Sequence, residues 1–128
     1  MIGLDTTAII DLFKGKPEIK GVMQKQSSFA VTDLNYLELL FGLDMAKGQH
    51  VREAEYYEQF FESVVKLSFN RLAAQKASEI YWKLKKEGKI IGKFDCIIAA
   101  IYLNNNVHSI ITRNIEHFSL AGMDVVGY

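Results

Sequence analysis

Three acidic side chains lie in stretches of this sequence that are otherwise apolar. Asp5 ends the run MIGLD, Glu38 lies among leucines in NYLELLF, and Asp95 opens the stretch DCIIAAIYL. Elements of this composition are expected to be buried, and a buried carboxylate is costly unless another group neutralises its charge. The three acids are therefore the first candidates for residues that do chemistry.

Two of these acids also have an ordinary structural explanation. Asp5 stands between an apolar run and a helical pattern, which is the position of a helix N-cap. Asp95 would lie in the first turn of its helix if that helix begins at Gly92, and the helix dipole favours an acid there. Taken singly, either residue can be a capping acid or a functional one.

Glu38 is harder to explain by local structure. It lies six residues after the candidate N-cap Thr32, too deep in the helix to bind the free amides of the first turn. It shares a helix face with Leu34 and Phe41, and no Lys or Arg stands three or four residues away. The remaining structural alternative is a position at the edge of the helix, where the carboxylate reaches water.

One shared cation would account for all three acids. Carboxylates about 4 Å apart repel each other by about 4 kcal/mol per pair at an effective dielectric constant of about 20. Carboxylate oxygens are hard ligands that favour Mg²⁺ or Mn²⁺ over zinc. Such an ion polarises a phosphoryl oxygen and activates water for in-line attack. The three acids therefore predict metal-dependent phosphodiester cleavage.

Composition limits the class of protein. The 128 residues fit a single domain spanning 1–128, and 49% of them are hydrophobic, which is enough for a sizeable core. The formal net charge is zero, so any surface for nucleic acid must be a local patch. The single cysteine, Cys96, cannot form an internal disulfide, and no apolar run is long enough to cross a membrane. We therefore expect a cytoplasmic protein with no membrane association.

Strand-like and helix-like stretches alternate along the chain. Apolar runs predict strands at 1–5, 28–32, 64–69, 107–112 and 124–128. Helical patterns follow the first strand and occupy 17–26, 33–47, 51–65, 71–88 and a stretch that begins after Gly92. The last two strands are predicted to be joined by a turn. This alternation predicts a parallel sheet covered by helices on both faces, with functional residues at the carboxyl ends of the strands.

Four stretches of the sequence resemble the conserved blocks of PIN domains. They are MIGLDTTAIIDLFKG, VTDLNYLELLFGL, IGKFDCIIAAIYLNNN and IITRNIEHFSLAGMDVV, in the order of the family and over nearly the whole chain. More closely, the chain resembles the toxins of VapBC toxin–antitoxin pairs. The resemblance implies an α/β fold, a three-layer α/β/α sandwich with a mainly parallel five-stranded sheet. It also implies a metal-dependent endoribonuclease that acts on RNA and binds a small VapB-like antitoxin protein.

The position of each motif assigns the site residues. The acids of the family fall on Asp5, Glu38 and Asp95, which we expect to hold Mg²⁺ or Mn²⁺. Where many relatives carry a further acid, this chain has Asn114, whose neutral oxygen is a weaker ligand. We therefore expect Asn114 at the catalytic centre, one ion on the free protein, and a second ion that arrives with the scissile phosphate.

Four further residues are expected to contact the substrate. Thr6 follows the first acid and Thr112 opens the fourth block, as in the family pattern. Lys93 ends a series of lysines that leads toward the third acid, and Arg113 stands in the fourth block. These cations predict a phosphate-positioning rim, with a solvated helix end as the alternative. The scattered histidines are assigned to the surface or to strand ends, and only His117 is also considered for the site because it stands in the fourth block.

Two apolar helical stretches are wider than one buried face requires. They are YLELLFGL at 36–43 and YYEQFF at 56–61. A core stripe is the ordinary explanation for the second of them. We expect the excess apolar surface to form a homodimer and to bind the antitoxin.

Two other functions are weighed against the ribonuclease. A phosphatase of the haloacid dehalogenase type also opens with a strand and an acid, but it needs a second Asp two residues later, where this chain has Thr7. The second rival is a PIN fold that has lost catalysis and only binds RNA or protein. Retention of Asp5, Glu38 and Asp95 argues against that rival. An RNA cleavage assay with metal titration distinguishes all three.

Overall fold

One sheet of five short strands organises the fold. The computed structural model describes residues 1–128, and its strands are β1 (Ile2–Leu4), β2 (Phe29–Thr32), β3 (Val65–Leu67), β4 (Ser109–Ile111) and β5 (Asp124–Val126). Every pairing is parallel, and the strand order is β3-β2-β1-β4-β5. The predicted five-stranded parallel sheet is confirmed, with β1 at its centre.

Seven helices connect the strands. They are α1 (Thr6–Phe13), α2 (Pro17–Met23), α3 (Asp33–Phe41), α4 (Gly48–Glu62), α5 (Arg71–Lys86), α6 (Lys93–Asn104) and α7 (Ile115–Leu120). None of them combines the length and the apolar composition that spanning a bilayer requires.

The helices cover both faces of the sheet. Ala30 and Ile110 belong to a core with residues of α5, α6 and α7, whereas Val31 and Ile111 belong to a second core with residues of α1, α2 and α4. Neighbouring side chains of a strand point to opposite faces, so the sheet lies between two helical layers. This is the predicted three-layer α/β/α arrangement.

Side-chain hydrogen bonds and one glycine set several helix boundaries, among them the predicted N-caps Asp5 and Thr32. Asp5 caps α1 by accepting from Thr6 N at 2.8 Å. Thr32 caps α3 and Asn70 caps α5, each with its side-chain oxygen on a backbone N–H three residues later. Gly88 follows α5 with a φ of 72°, the left-handed conformation that ends many helices.

Other predicted boundaries are wrong. The helix predicted for 33–47 ends at Phe41, because Gly42 follows and the chain then turns to bond Asp44 N to His50 Nδ1 at 2.8 Å. The connection predicted as a turn contains α7, which is anchored by the fully buried Phe118. Smaller differences are that α2 ends at 23, α4 spans 48–62, and β3 is limited to 65–67, where it pairs with β2.

Tyr102 joins α6 to the centre of the sheet. Its side chain is fully buried, and its ring lies so close to Gly3 that an added Cβ would come within 2.6 Å of Tyr102 Cζ. Its hydroxyl accepts a hydrogen bond from Leu4 N at 3.0 Å and donates to Leu4 O at 2.6 Å. The strand β1, which leads into Asp5, is therefore fixed by the hydrogen bonds of the Tyr102 hydroxyl.

Tyr102→Phe is expected to lower the free energy of unfolding by about 1–3 kcal/mol, because it removes the partner of a buried backbone N–H. Urea denaturation measures this loss. The control is Tyr81→Phe, at a partly exposed position on α5, which should stay within about 0.5 kcal/mol of wild type. If both variants unfold like wild type, the Tyr102 hydroxyl contributes nothing to stability.

Candidate active site

The candidate site lies at the carboxyl edge of the three central strands. Asp5 follows β1, Thr32 ends β2, and Thr112 follows β4. Because β1 pairs with both neighbours in parallel, these three positions meet at one edge of the sheet. In open α/β sheets this edge is where ligands bind.

Asp5 is held by a set of short polar contacts. It is 2% exposed, and its Oδ2 accepts hydrogen bonds from Thr112 Oγ1 at 2.7 Å and from Thr7 Oγ1 at 3.1 Å. Burial raises the pKa of Asp5, and the charge of Asp95 raises it further, against the lowering effect of the hydrogen bonds. Asp5 is therefore both the N-cap of α1 and a carboxylate whose ionised form is disfavoured by burial and by the charge of Asp95.

Glu38 points into this site rather than into solvent. Its Oε1 accepts a hydrogen bond from Thr6 Oγ1 at 2.6 Å, and Asn35 Nδ2 donates to the same Thr6 oxygen at 3.0 Å. Burial raises the pKa of Glu38, and the charges of Asp5 and Asp95 add to the increase. The alternative of a solvated helix edge is therefore disfavoured.

Asp95 completes the group of acids. It lies in the first turn of α6, whose N-cap is Gly92, as the sequence predicted. Its Oδ2 is 2.7 Å from His117 Nδ1, and its side chain is 14% exposed. The assignment of His117 to a surface or strand-end role is incomplete, because this half-exposed ring also contacts the third acid.

The three acids carry no compensating Lys or Arg. The ion pairs of the structure that involve these cations lie elsewhere, at Asp11 and Glu87. No three His, Cys, Asp or Glu side chains already stand together as a formed metal site. The donor set nevertheless fits a hard divalent cation, because it consists of carboxylate oxygens and the charge of Asp95 raises the pKa values of Asp5 and Glu38.

The fourth sequence block contributes a threonine rather than an acid. The buried Thr112 donates to Asp5, and its Oγ1 accepts from Asn114 N at 2.9 Å. Asn114 is exposed at the start of α7, and its side chain does not cap that helix. The backbone of Asn114 thus supports Thr112. The side-chain amide of Asn114 makes no hydrogen bond to an acid of the site.

The two cations predicted to contact phosphate, Arg113 and Lys93, contact residues other than the three acids. Arg113 Nε lies 2.7 Å from Asp11 Oδ2, and Lys93 Nζ lies 5.8 Å from the centroid of the Tyr81 ring. The structure therefore brings together Asp5, Glu38 and Asp95, with Thr6 and Thr112 as donors to the carboxylates, and places the two cations at the periphery.

Sequence reasoning also missed Asn35 as a residue of the site. Asn35 is fully buried, and it forms a reciprocal cap with Thr32 while its amide nitrogen supports Thr6. The sequence signal was present as Thr32 followed by an amide three residues later, which is the spacing of a capping box.

The predicted apolar surface is only partly exposed. In YYEQFF, Tyr57 and Phe61 belong to the core and make aromatic contacts there, so this stretch is mainly a buried stripe. In YLELLFGL, Leu40 and Phe41 are exposed, and Phe41 stacks on Phe94 with centroids 6.5 Å apart. Of these two stretches, the first therefore has the more exposed apolar surface, at the end of α3.

Comparison with known proteins agrees with this architecture. The family model of the PIN domain matches residues 2–122. Ribonuclease VapC3 of Methanocaldococcus jannaschii is 31% identical over 101 residues, which cover 77% of this chain and 95% of that protein. VapC ribonuclease Y4jK of Sinorhizobium fredii is 30% identical, with 98% of this chain and 96% of that protein covered. The structure of VapBC-1 from nontypeable Haemophilus influenzae superposes with a TM-score of 0.79 at 28% identity, covering 99% of this chain and 98% of that chain.

Proposed function

Because the chain belongs to the PIN domain family, we propose that it is an endoribonuclease and the toxin of a toxin–antitoxin pair. One observation carries the proposal: three carboxylates without Lys or Arg partners meet at the carboxyl edge of the sheet, and the charge of Asp95 raises the pKa values of Asp5 and Glu38. The similar proteins named VapC ribonucleases support RNA as the substrate. The test is cleavage of single-stranded RNA by the purified protein.

A divalent cation is the group that these acids would hold. We propose Mg²⁺ or Mn²⁺ on Asp5 and Asp95, with Glu38 bound directly or through water. The ion would supply a polarised phosphoryl oxygen and a water activated for attack on phosphorus. Asn114 offers only a neutral oxygen, so we propose that a second ion arrives mainly with the scissile phosphate.

The remaining side chains orient the acids. Thr112 donates to Asp5, and Thr6 donates to Glu38, so each hydroxyl fixes one carboxylate. The third acid, Asp95, is fixed by the contact of its Oδ2 with His117 Nδ1 at 2.7 Å. We propose Arg113 and Lys93 as cations that attract the RNA backbone toward this edge, since Arg113 lies in the connection that follows Thr112 and Lys93 begins the helix that carries Asp95. Thr6 and Thr112 thus act on the substrate indirectly, by orienting the carboxylates to which they donate.

Stabilisation by Mg²⁺ is expected to grow with pH. The raised pKa values of Asp5 and Glu38 mean that the folded, metal-free protein keeps protons that the unfolded chain has lost. Stability from these groups is therefore fully present below their ordinary pKa values, and it is lost as pH rises through the raised ones. Ion binding requires the ionised acids, so the ion offsets this loss most at high pH.

Thermal melting with and without Mg²⁺ at about pH 5 and about pH 7.5 measures this dependence. The increase in melting temperature caused by Mg²⁺ should be larger at the higher pH, and Asp95→Asn should reduce it there. The lowered pKa of Asp11 acts only in acid, below the ordinary value of 3.8, and does not enter this range. Equal Mg²⁺ effects at both pH values would contradict the proposed metal site.

We propose two protein partners on two surfaces. The exposed Phe41–Phe94 pair suits a second copy of the chain. A groove of about 500 Å³ between α3 and α4 is lined by Leu40, Met45 and Val51 and carries Glu55 and Glu58. This combination suits an apolar helix with basic residues, the kind of segment by which a small antitoxin would bind.

Val51→Asp is expected to abolish co-purification of the antitoxin encoded beside this protein, because it places a charge on the apolar floor of the groove. Co-expression followed by affinity purification measures this, and RNA cleavage by the variant should remain. The control, Leu72→Asp, changes an exposed apolar residue of α5 and should leave the complex intact. Retention of the antitoxin by Val51→Asp would exclude this groove as its binding site.

A further inference from the structure

Besides Asp5, one other carboxylate of the chain is buried, and it lies near the site without belonging to it. Asp11 is on α1, six residues beyond Asp5, and it is 0% exposed. It contacts none of the three acids, and the proposed reaction does not use it. A fully buried charge in this position requires an explanation of its own.

Three donors surround Asp11. Arg113 Nε lies 2.7 Å from Oδ2, Tyr128 donates its hydroxyl to Oδ2 at 2.6 Å, and Lys16 Nζ lies 3.2 Å from Oδ1. Burial alone would raise the pKa of Asp11, but the hydrogen bond from Tyr128 and the nearby Lys16 and Arg113 cations outweigh it and lower the pKa. Asp11 is therefore ionised and acts as a fixed anchor for cations.

Arg113 is held at two points. Its side chain contacts Asp11 through Nε, and its backbone N donates to Thr7 Oγ1 at 3.3 Å. Thr7 in turn donates to Asp5, so the main chain of Arg113 is linked to the catalytic centre. The turn that presents Thr112 to Asp5 is thus fixed from both sides.

The guanidinium retains capacity for a ligand. An arginine carries five N–H donors, and the contact with Asp11 is made by Nε. The side chain of Arg113 is 48% exposed although its partner is completely buried. The cation of this pair therefore reaches solvent, where a ligand can approach it.

The negative charge of the site explains why the site needs such a cation. Three carboxylates at the centre repel the RNA backbone, so a phosphate that approaches them needs a positive group at a fixed distance. A planar guanidinium binds phosphate oxygens through two parallel N–H bonds, and holding it in place removes part of the entropic cost. Arg113 occupies the turn directly after Thr112 and is suited to this role.

We propose that the buried Asp11, with Tyr128, is a positioning residue that holds Arg113 so that its guanidinium binds a backbone phosphate of RNA beside the acidic centre. This inference rests on the proposed ribonuclease function. The change in RNA affinity that it predicts for a variant without the Asp11 charge has the opposite sign from the change that electrostatics alone predicts. Removing the negative charge of Asp11 would by itself strengthen binding to a polyanion, whereas loss of the anchor weakens it.

The experiment measures binding of a short labelled single-stranded RNA to the Asp95→Asn protein at constant Mg²⁺ and increasing KCl. Adding Asp11→Asn should weaken binding several-fold and lower the slope of log K against log salt by about 0.7, the contribution of one phosphate on a single strand. Arg113→Gln should do the same, and the double variant should be no worse than Arg113→Gln alone. In the active background, Asp11→Asn should raise KM with little change in kcat.

Two further variants serve as controls. Asp124→Asn removes an exposed carboxylate at the start of β5 and should leave RNA binding unchanged or tighter. Arg113→Lys keeps the charge at a half-exposed position that tolerates substitution, but one ammonium cannot serve both Asp11 and a phosphate, so it should also weaken binding.

Three results would overturn the inference. They are unchanged or tighter binding by folded Asp11→Asn, effects of Asp11→Asn and Arg113→Gln that simply add, and full affinity of Arg113→Lys. If instead the wild-type protein neither binds nor cleaves the RNA, the proposed function fails and this inference fails with it. Cleavage by wild type with an unaffected Asp11→Asn removes only the role of Asp11.

Discussion

Asp95→Asn is expected to abolish RNA cleavage, with a loss of at least about 10³-fold, or about 4 kcal/mol of transition-state stabilisation. Asparagine keeps the size of the side chain and one neutral carbonyl oxygen, but it removes the charge that the proposed cation needs. The fold should be intact, because the residue stays in the first turn of α6. The metal-free variant should melt at the same temperature as wild type or higher, since the charge that raises the pKa values of Asp5 and Glu38 is gone.

The matched control for this variant is Glu116→Gln. Glu116 is an exposed acid in the first turn of α7, within the fourth sequence block. It makes the same change of charge at a helix start and should retain activity. Cleavage assays with circular dichroism on both variants measure the outcome. Full activity of folded Asp95→Asn would exclude Asp95 from the metal site.

Phe41→Glu is expected to convert a homodimer into a monomer. Phe41 is 71% exposed at the end of α3 and stacks on Phe94, so a glutamate there costs the monomer little but places a charge in the proposed interface. Loss of a central aromatic contact typically weakens an interface by about 2 kcal/mol or more, which is about 30-fold in the dissociation constant. Light scattering after size-exclusion chromatography at micromolar protein measures the change.

A second exposed aromatic residue supplies the control. Trp82 is 51% exposed on α5, and Trp82→Glu should leave the dimer intact. Two results would contradict the proposal: a wild-type protein that is already monomeric at micromolar concentration, or a Phe41→Glu variant that remains dimeric.

Local signals were sufficient to predict the central acids. Asp5 and Asp95 stand at a strand end and at a helix start, and both positions are determined by residues within one turn. Glu38 was inferred from the lack of any local partner, and the structure supplies a distant one in Thr6. The alternation of apolar runs and helical patterns predicted the parallel sheet in the same way, because the central strand β1 is wholly apolar, as a strand buried on both faces should be.

Contacts between distant residues were beyond the sequence. The pairs Asp95–His117 and Asp11–Arg113 are formed only when α6, α1 and the segment after β4 meet at one sheet edge. Helix α7 was missed because it has six residues and no side-chain cap, and a single buried Phe118 holds it. The aromatic stretch in α4 was expected to be partly a contact surface, but α1 and α3 cover it with Phe13 and Tyr36.

The proposed function is tested most directly by cleavage of single-stranded RNA with purified protein freed of any antitoxin. We expect endonucleolytic cleavage in Mg²⁺ or Mn²⁺, loss of cleavage in excess EDTA, and recovery when the cation is restored. A binding module without catalysis would hold the RNA and leave it uncut. Cleavage that continues in EDTA, or the absence of cleavage with either cation, would contradict the metal-dependent ribonuclease built on Asp5, Glu38 and Asp95.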